Sequence, residues 1–245
     1  MINSVFFSIG PLEIRYYSLL MVLGFILGYF ILIKFGREKG IEKSVLEDYF
    51  FYLALGLIIG ARLFEVLFYD FQYYFSNPIK VFYIWEGGIA SHGAMIGAFL
   101  VTFWFSKKNK INFYTLSDLV VIPVALAASF IRIGNFINQE LVGRVTDSSL
   151  GFKFDNYSGL RHPVQLYQSV CNFFNFLILF GIRKYIKLKE GTLTWLFFLF
   201  YSSFRFFTEF FKDLPLNYGF FYLGLNLAQW FSLGLILVSI YMLRK

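Results

Sequence analysis

Long apolar stretches separated by short polar connections dominate the chain. Seven of these stretches contain about 20 mostly apolar residues, the length that an α-helix needs to cross a bilayer. We therefore predict an all-α polytopic membrane protein, a single membrane domain over residues 1–245, whose seven spans cover residues 17–33, 48–69, 88–106, 115–135, 163–182, 192–211 and 222–243. A shorter aromatic stretch, residues 76–85, is expected to lie at the membrane interface or to re-enter the membrane.

Small residues four positions apart occur in the predicted spans, at Gly56 and Gly60 and again at Gly93 and Gly97. Such pairs allow helix backbones to approach one another closely in a membrane. They predict tight packing between helices and carry no functional signal.

The longest polar connection, residues 138–162, lies between the fourth and fifth predicted spans and contains three glycines. Long loops in compact proteins are often functional. We expect this loop to form a small extracytoplasmic cap.

The basic residues are unevenly distributed between alternate connections. Of the 22 Lys and Arg residues, 13 fall after the first, third and fifth spans or in the C-terminal tail, and six fall on the other side. Cytoplasmic loops of membrane proteins carry an excess of Lys and Arg. The N-terminus is therefore predicted outside and the C-terminus in the cytoplasm, and the net charge of +7 requires no nucleic-acid partner.

The composition excludes a soluble globular protein and a disordered one. Hydrophobic residues make up 58% of the chain and charged residues 15%, whereas soluble domains have about 45–50% and about 25%. A single cysteine, Cys171, rules out an intrachain disulfide and is expected to be a core residue. The two histidines are far apart in sequence, so the chain has no zinc-type spacing and no metal site is predicted.

Three arginines, Arg62, Arg132 and Arg205, fall inside the predicted spans. A charged side chain at the centre of a membrane helix costs at least about 2.5–3.5 kcal/mol. At about 1.5 Å per residue, the three lie roughly 20–25 Å from the cytoplasmic ends of their helices, while His92 and Tyr17 lie near the outer ends of theirs. We predict a polar cavity in the outer half of the membrane, closed below because the cytoplasmic half shows few polar residues beyond Asp118.

Arginine provides a planar, permanently charged set of donors suited to phosphate. Several arginines at headgroup depth therefore predict a bound phospholipid phosphate. The alternative is pairing within one helix, Arg62 with Glu65 and Arg205 with Glu209. Arg132 has no acidic neighbour on its own helix face, which makes it the strongest candidate ligand.

The segment after Arg132 continues this polarity. Asn135 and Gln139 share a helix face with Arg132 if the helix continues, and Glu140 and Arg144 extend the polar character into the outer loop. A helix end capped by asparagines is the structural alternative.

The two histidines are candidates for different reasons. His92 is flanked by glycines at the predicted depth of the arginines, and the usual pKa of histidine suits proton transfer near neutrality. His162 precedes Pro163, a residue typical of a first helical turn, so it either contributes to the site or caps the fifth span.

Motifs spread over nearly the whole chain resemble the prolipoprotein diacylglyceryl transferase family of bacterial inner-membrane enzymes. They are Phe7-Ser8-Ile9-Gly10-Pro11, Gly60-Ala61-Arg62, Trp85-Glu86-Gly87-Gly88 through His92-Gly93, residues 132–144, Arg161-His162-Pro163 and Phe204-Arg205 with Glu209. The resemblance implies seven spans with the N-terminus outside. It also implies transfer of a diacylglyceryl group from phosphatidylglycerol to the lipobox cysteine of a preprolipoprotein, with formation of a thioether, release of glycerol phosphate and no cofactor.

The resemblance and the residue pattern together give the candidate site. Arg132 and Arg205 match the family's essential arginines, and the expected catalytic residues are His92, Arg132, Arg205, Glu209 and Tyr17. The expected substrate-binding residues are Arg62, Asn135, Asn138, Glu140, Gly143, Arg144, His162 and Tyr201. The chain departs from the family pattern at Gln168, where many members have Glu.

The expected mechanism begins with proton loss from the substrate thiol to His92, or to a carboxylate such as Glu209 or Glu140. Two other function classes are compatible with arginines in a membrane. A transporter or channel for an organic anion or lipid headgroup would need polar residues through the cytoplasmic half of the spans. A structural protein would have arginines that are only paired internally.

Overall fold

The computed structural model describes residues 4–10, 12–88, 90–213 and 222–245, so Pro11 of the first motif lies outside the described residues. This part of the chain is mostly helical. Its α-helices are α1 (Tyr16–Glu38), α2 (Lys43–Phe64), α3 (Phe71–Ser76), α4 (Ser91–Asn109), α5 (Phe113–Ile137), α6 (Val164–Tyr185), α7 (Thr192–Glu209) and α8 (Leu227–Arg244).

Every predicted span coincides with one of these helices. Five are long and apolar enough to cross a membrane, namely α1, α2 with the π-helical turn Glu65–Tyr69 that continues it, α5, α6 and α8. The chain is therefore a multi-pass membrane protein. Helices α4 and α7 are not among the five, so the count of seven spans and the orientation stay predictions.

A short antiparallel hairpin precedes α1, which the apolar pattern did not predict. Its strands are β1 (Val5–Ile9) and β2 (Leu12–Arg15). Gly10 between them has a φ of 59°, a left-handed conformation that glycine adopts without a steric penalty. The hairpin is a small exception in a mostly helical chain, because five and four residues are enough for paired strands but too few for a stable helix.

Residues Leu32–Leu119 form one compact unit in which α2 packs along α4. The predicted small-residue contact is confirmed, since a methyl group on Gly93 would collide with the carbonyl oxygen of Gly60. A hydrogen bond of 2.8 Å between Tyr49 and Thr102 joins the same two helices. The aromatic stretch after α2 forms α3 and the 3-10 turns Pro78–Phe82 and Ile84–Glu86.

Residues Met1–Ile31 and Val120–Lys245 form the other compact unit. Helix α6 packs against α7, and α7 packs against α8. Helix α5 contacts α6 through the hydroxyls of Ser129 and Ser169, which are 2.9 Å apart. Helix α1 approaches α5 at Gly134, where an added Cβ would lie 2.6 Å from the Tyr17 ring. These contacts bring residues of α1, α5, α6 and α7 together.

Helix α6 has an unusual distribution of side chains for a membrane helix. Its buried face is polar over Gln165, Gln168, Ser169, Asn172 and Asn175, whereas Val170 and Phe174 are exposed. Asn175 donates to the carbonyl oxygen of Phe197, 3.3 Å away. Polar side chains here replace water as partners inside the bundle. The expectation of few polar residues in the cytoplasmic half of the spans stays a prediction.

Candidate functional site

The unit formed by α1 and α5–α8 contains an open pocket with about 260 Å³ of empty space, which we call the arginine pocket. That space includes part of the open surroundings, so the pocket is a small opening between the helices. Its lining comes from α5, α6 and α7 and comprises Arg132, Gln168, Cys171, Asn172, Tyr201, Phe204, Arg205 and Thr208. The predicted core residue Cys171 thus lines the pocket.

Arg132 enters the pocket from α5 at the start of a chain of hydrogen bonds. Its Nη1 donates to Asn135 Oδ1 at 3.2 Å, and Asn135 Nδ2 donates to Glu140 Oε2 at 3.1 Å. The other carboxylate oxygen of Glu140 accepts from Asn138 Nδ2 at 2.9 Å. The loop carboxylate therefore orients Arg132 through Asn135, and the remaining Arg132 donors have no protein acceptor among the described residues.

Arg205 comes from α7, and its guanidinium makes no hydrogen bond or ion pair within the described part of the chain. Its charge and that of Arg132 act on one another, so the two guanidinium groups lie close together. The pairing of Arg205 with Glu209 that helical spacing suggested does not form. Because the described lining includes no Asp or Glu, the arginine pocket is strongly cationic.

Glu209 has a different partner, Lys212, whose Nζ donates to Oε1 over 3.3 Å. The second oxygen of Glu209 is buried and has no hydrogen-bond partner among the described residues. Burial lowers the pKa of Lys212, the carboxylate of Glu209 opposes that shift, and Arg205 and Arg132 add to it. The structure therefore adds a third cation near the two arginines, which sequence reasoning missed.

Two tyrosines flank the arginines. Tyr17 on α1 packs against Gly134, and its hydroxyl lies within electrostatic range of Arg132 and Glu140. Tyr201 on α7 lines the arginine pocket and stacks on Phe197, with ring centroids 5.7 Å apart. Both tyrosines therefore lie within electrostatic range of Arg132.

The outer-loop candidates are held by backbone contacts. Gly143 donates to the carbonyl oxygen of His162 and Arg144 to that of Phe211, at 3.0 and 2.9 Å. A Cβ on Gly143 would lie 2.5 and 2.6 Å from these two oxygens, so no other residue fits there. His162 hydrogen-bonds to the Tyr167 hydroxyl through Nδ1 at 3.1 Å, whereas the Arg144 side chain is exposed. These residues support the site by fixing the loop on the end of α7.

Arg62 belongs to the unit Leu32–Leu119, and every N–H group of its guanidinium is hydrogen-bonded within the protein. It is 5% exposed, and all five of its N–H groups donate to backbone carbonyl oxygens, those of Lys80, Val81, Tyr83, Gly87 and Gly88. It also lies over the Tyr74 ring, 4.8 Å from the centroid. Among the described residues it makes no bond with Glu65. We therefore assign Arg62 a structural role and leave it out of the proposed site.

His92 lies in the same unit as Arg62, near the start of α4. Its imidazole is exposed, stacks on Phe64 and is joined at Nδ1 to the Tyr69 hydroxyl at 3.3 Å. Nε2 has no hydrogen-bond partner in the described part of the chain. Tyr69 is a second residue that the sequence analysis missed, since it lies in a π-helical turn that no periodicity indicates.

Asn172 and Thr208 were also missed, and Gln168 was noted only as a departure from the family pattern, although the sequence carried a signal. Polar residues recur on α6 at positions 165, 168, 169, 172 and 175, which share one helix face. A polar face on an apolar helix marks a cavity or a polar interface. Among the described residues, no three His, Cys, Asp or Glu side chains come close enough together to hold a metal ion.

Comparison with known proteins identifies the family. A sequence profile of the prolipoprotein diacylglyceryl transferase family matches residues 4–244. The chain is 40% identical over 255 residues to a phosphatidylglycerol–prolipoprotein diacylglyceryl transferase of Rickettsia bellii, covering 100% of this chain and 95% of that protein. It is 41% identical to the proteins of the same name from Rickettsia conorii and Rickettsia typhi, with 99% and 100% of this chain and 96% of each relative covered. The chain therefore belongs to the prolipoprotein diacylglyceryl transferase family.

Proposed function

We propose that this protein transfers the diacylglyceryl group of phosphatidylglycerol to the thiol of the lipobox cysteine of preprolipoproteins. The sulfur attacks the glycerol carbon that bears the phosphate, a thioether forms, and glycerol phosphate leaves with the electrons of the broken C–O bond. The observation that carries the proposal is the arginine pocket, in which Arg132 and Arg205 keep donors unused within the described chain. The relatives' shared name supplies the two substrates.

Arg132 and Arg205 bind the phosphate and stabilise the charge that grows on it as the C–O bond breaks. Preorganised donors in a water-poor site act strongly because they need no reorientation during the reaction. Asn135 and Glu140 keep Arg132 in position through the hydrogen-bond chain described above. Glu209 pairs with Lys212 and offsets the positive charge of that lysine near the two arginines.

His92 accepts the thiol proton in this proposal. A thiol with a pKa of about 8.5 is a weak nucleophile until it is deprotonated, and imidazole is suited to this transfer. Tyr69 at Nδ1 orients the ring and leaves Nε2 for the proton. Glu209 already accepts a hydrogen bond from Lys212, so it is less free than His92 to take the thiol proton.

The protein acts in the bacterial inner membrane, with its N-terminus outside and with residues 138–162 as an extracytoplasmic cap. Both acyl chains of the lipid and the apolar part of the signal peptide stay in the bilayer while the headgroup enters the arginine pocket. The multi-pass helices support this arrangement. The relatives' names support a transferase, and the transport alternative receives no support from them.

The test uses the purified full-length protein in phosphatidylglycerol-containing micelles with a lipobox peptide, and it measures the peptide's mass. We expect a diacylglyceryl mass gain with the wild type. Arg132→Gln and Arg205→Gln should each lower the rate about 10²–10³-fold, as when one preorganised donor is removed. The matched control is Arg244→Gln in the exposed last turn of α8, which should retain the wild-type rate.

Two results would contradict the proposal. No mass gain from folded, lipid-bound wild type would reject the transferase activity. A full rate in both pocket variants would show that the phosphate binds elsewhere. Adding the peptide with its cysteine replaced by serine tests the thiol, since a serine peptide should gain no mass.

A further inference from the structure

We propose that Asn172 and Gln168 form a subsite for hydroxyl groups in the arginine pocket, and that this subsite selects the polar tail of the lipid headgroup. In phosphatidylglycerol that tail is a glycerol with two free hydroxyls. The inference rests on the proposed function and adds to it the residues that distinguish one phosphodiester headgroup from another.

Asn172 is a buried amide that lacks a protein partner. It lines the arginine pocket, is 6% exposed, and makes no side-chain hydrogen bond within the described residues. Gln168 is 7% exposed and lines the same pocket. The one side-chain hydrogen bond that Gln168 makes among the described residues is long, 3.4 Å from Nε2 to Thr208 Oγ1. Buried polar groups are almost always hydrogen-bonded, so both amides are arranged for a ligand.

The two amides lie on the same side of the pocket. They are four residues apart on α6, which places them one above the other on a single helix face. Arg132 and Arg205 come from α5 and α7. A phosphate held by both arginines therefore has an amide-lined wall beside it, formed by α6. On α7 the apolar Phe204 also lines the pocket.

The chemistry of this wall suits hydroxyl groups better than charged groups. Each amide offers two N–H donors and one carbonyl acceptor, and a hydroxyl both donates and accepts. A cationic tail such as ethanolamine would be repelled by the two arginines, with no Asp or Glu in the described lining to balance it. A second anionic group would find its charge partners already engaged by the phosphate. A polyol is the neutral group that satisfies both amides.

The subsite also bears on the leaving group. The glycerol that the amides hold is the part of the substrate that departs with the phosphate, so these bonds position the leaving oxygen relative to the arginines. A site built to bond a hydroxyl rejects analogues without it by up to about 10⁴–10⁵-fold. For a small open pocket with two amides we expect a smaller preference, on the order of 10²-fold.

The experiment compares two lipids with identical acyl chains, phosphatidylglycerol and phosphatidylpropanol, whose three-carbon headgroup lacks both hydroxyls. Transfer to the lipobox peptide is measured in micelles as kcat/KM for each lipid. We expect the wild type to prefer phosphatidylglycerol, and Asn172→Leu to reduce that preference at least about 10-fold through a slower reaction with phosphatidylglycerol alone. The matched control is Asn175→Leu, the same change one turn further along α6 and outside the pocket, which should keep the wild-type preference.

The outcomes distinguish a failure of the hydroxyl subsite from a failure of the proposed transferase function. No transfer from either lipid by folded wild type would reject the proposed function. If Asn172→Leu keeps the wild-type preference for phosphatidylglycerol, the subsite is overturned. The same holds if the variant loses kcat/KM equally on both lipids. Either result would indicate that the amides bind only water or neighbouring helices. If Asn172→Leu does not fold, Gln168→Met provides the same test with nearly the same side-chain length.

Discussion

Replacing Arg62 is expected to destabilise the segment after α2 and to leave lipid recognition intact. The guanidinium donates all five of its N–H groups to backbone carbonyl oxygens between positions 80 and 88. Arg62→Met keeps much of the aliphatic length and removes these donors together. The carbonyls then need water or other N–H donors as partners.

The magnitude follows from the number and kind of these bonds. A hydrogen bond from a charged donor contributes about 1.5–3 kcal/mol, so five would sum to about 7–15 kcal/mol. That sum approaches the whole stability of a domain, so it cannot be additive. The segment that supplies the carbonyls is partly exposed, which lets water replace some of the bonds. We expect a net loss of about 3–5 kcal/mol, because each buried acceptor that stays without a donor costs about 1–3 kcal/mol.

Two measurements test this expectation, thermal unfolding in micelles and hydrogen exchange of the amides from 77 to 90. Arg62→Met should unfold at lower temperature and exchange faster there. Arg205→Met is the matched control, because the Arg205 guanidinium has no hydrogen bond among the described residues and its removal should not lower the unfolding temperature. An Arg62→Met protein with wild-type unfolding and exchange but a raised KM for lipid would refute the structural role.

Three further predictions concern packing, charge and proton transfer. Gly93→Ala should lower stability by about 1–3 kcal/mol through overpacking, whereas Gly234→Ala, which has open space around it, should be neutral or stabilising in the same unfolding assay. Burial lowers the pKa of Lys212, so at pH values between that lowered pKa and about 10.4 the unfolded chain binds one proton more than the folded chain. Stability should therefore rise with pH in this range, and Lys212→Met should flatten the rise of the unfolding temperature with pH. His92→Gln should slow transfer about 10²–10⁴-fold without changing the unfolding temperature, and a near-normal rate would exclude His92 as the base.

The helices could be predicted because each apolar stretch has the length that a membrane span requires. Every predicted span coincides with a helix, although the observed helix ends differ from the predicted ones by several residues. Helix α1, for example, begins at Tyr16 and continues to Glu38. The hairpin before α1 could not be predicted by the same argument. It depends on strand pairing and on a left-handed glycine at position 10, neither of which has a helical period.

The candidate site was predictable where the residue type alone limits the role. A charged arginine in a membrane helix requires an explanation, and this led to Arg132 and Arg205, which line one pocket. The ion-pair partner of Glu209 could not be predicted. Glu209 had Arg205 four positions before it and Lys212 three positions after it, and only the end of α7, where the helix stops, selects Lys212.

The partners of the three arginines distinguish their roles better than their depth in the membrane does. Within the described residues the Arg62 guanidinium makes five hydrogen bonds, that of Arg132 makes one and that of Arg205 makes none. Burying an unpartnered guanidinium is costly, and the cost is tolerated at a site whose ligand supplies the missing acceptors. Because the donors already face the pocket before lipid arrives, binding requires little rearrangement. Arg205→Met should therefore slow transfer about 10²–10³-fold while raising the unfolding temperature of the lipid-free protein, a combination expected only of an arginine that is placed for its ligand.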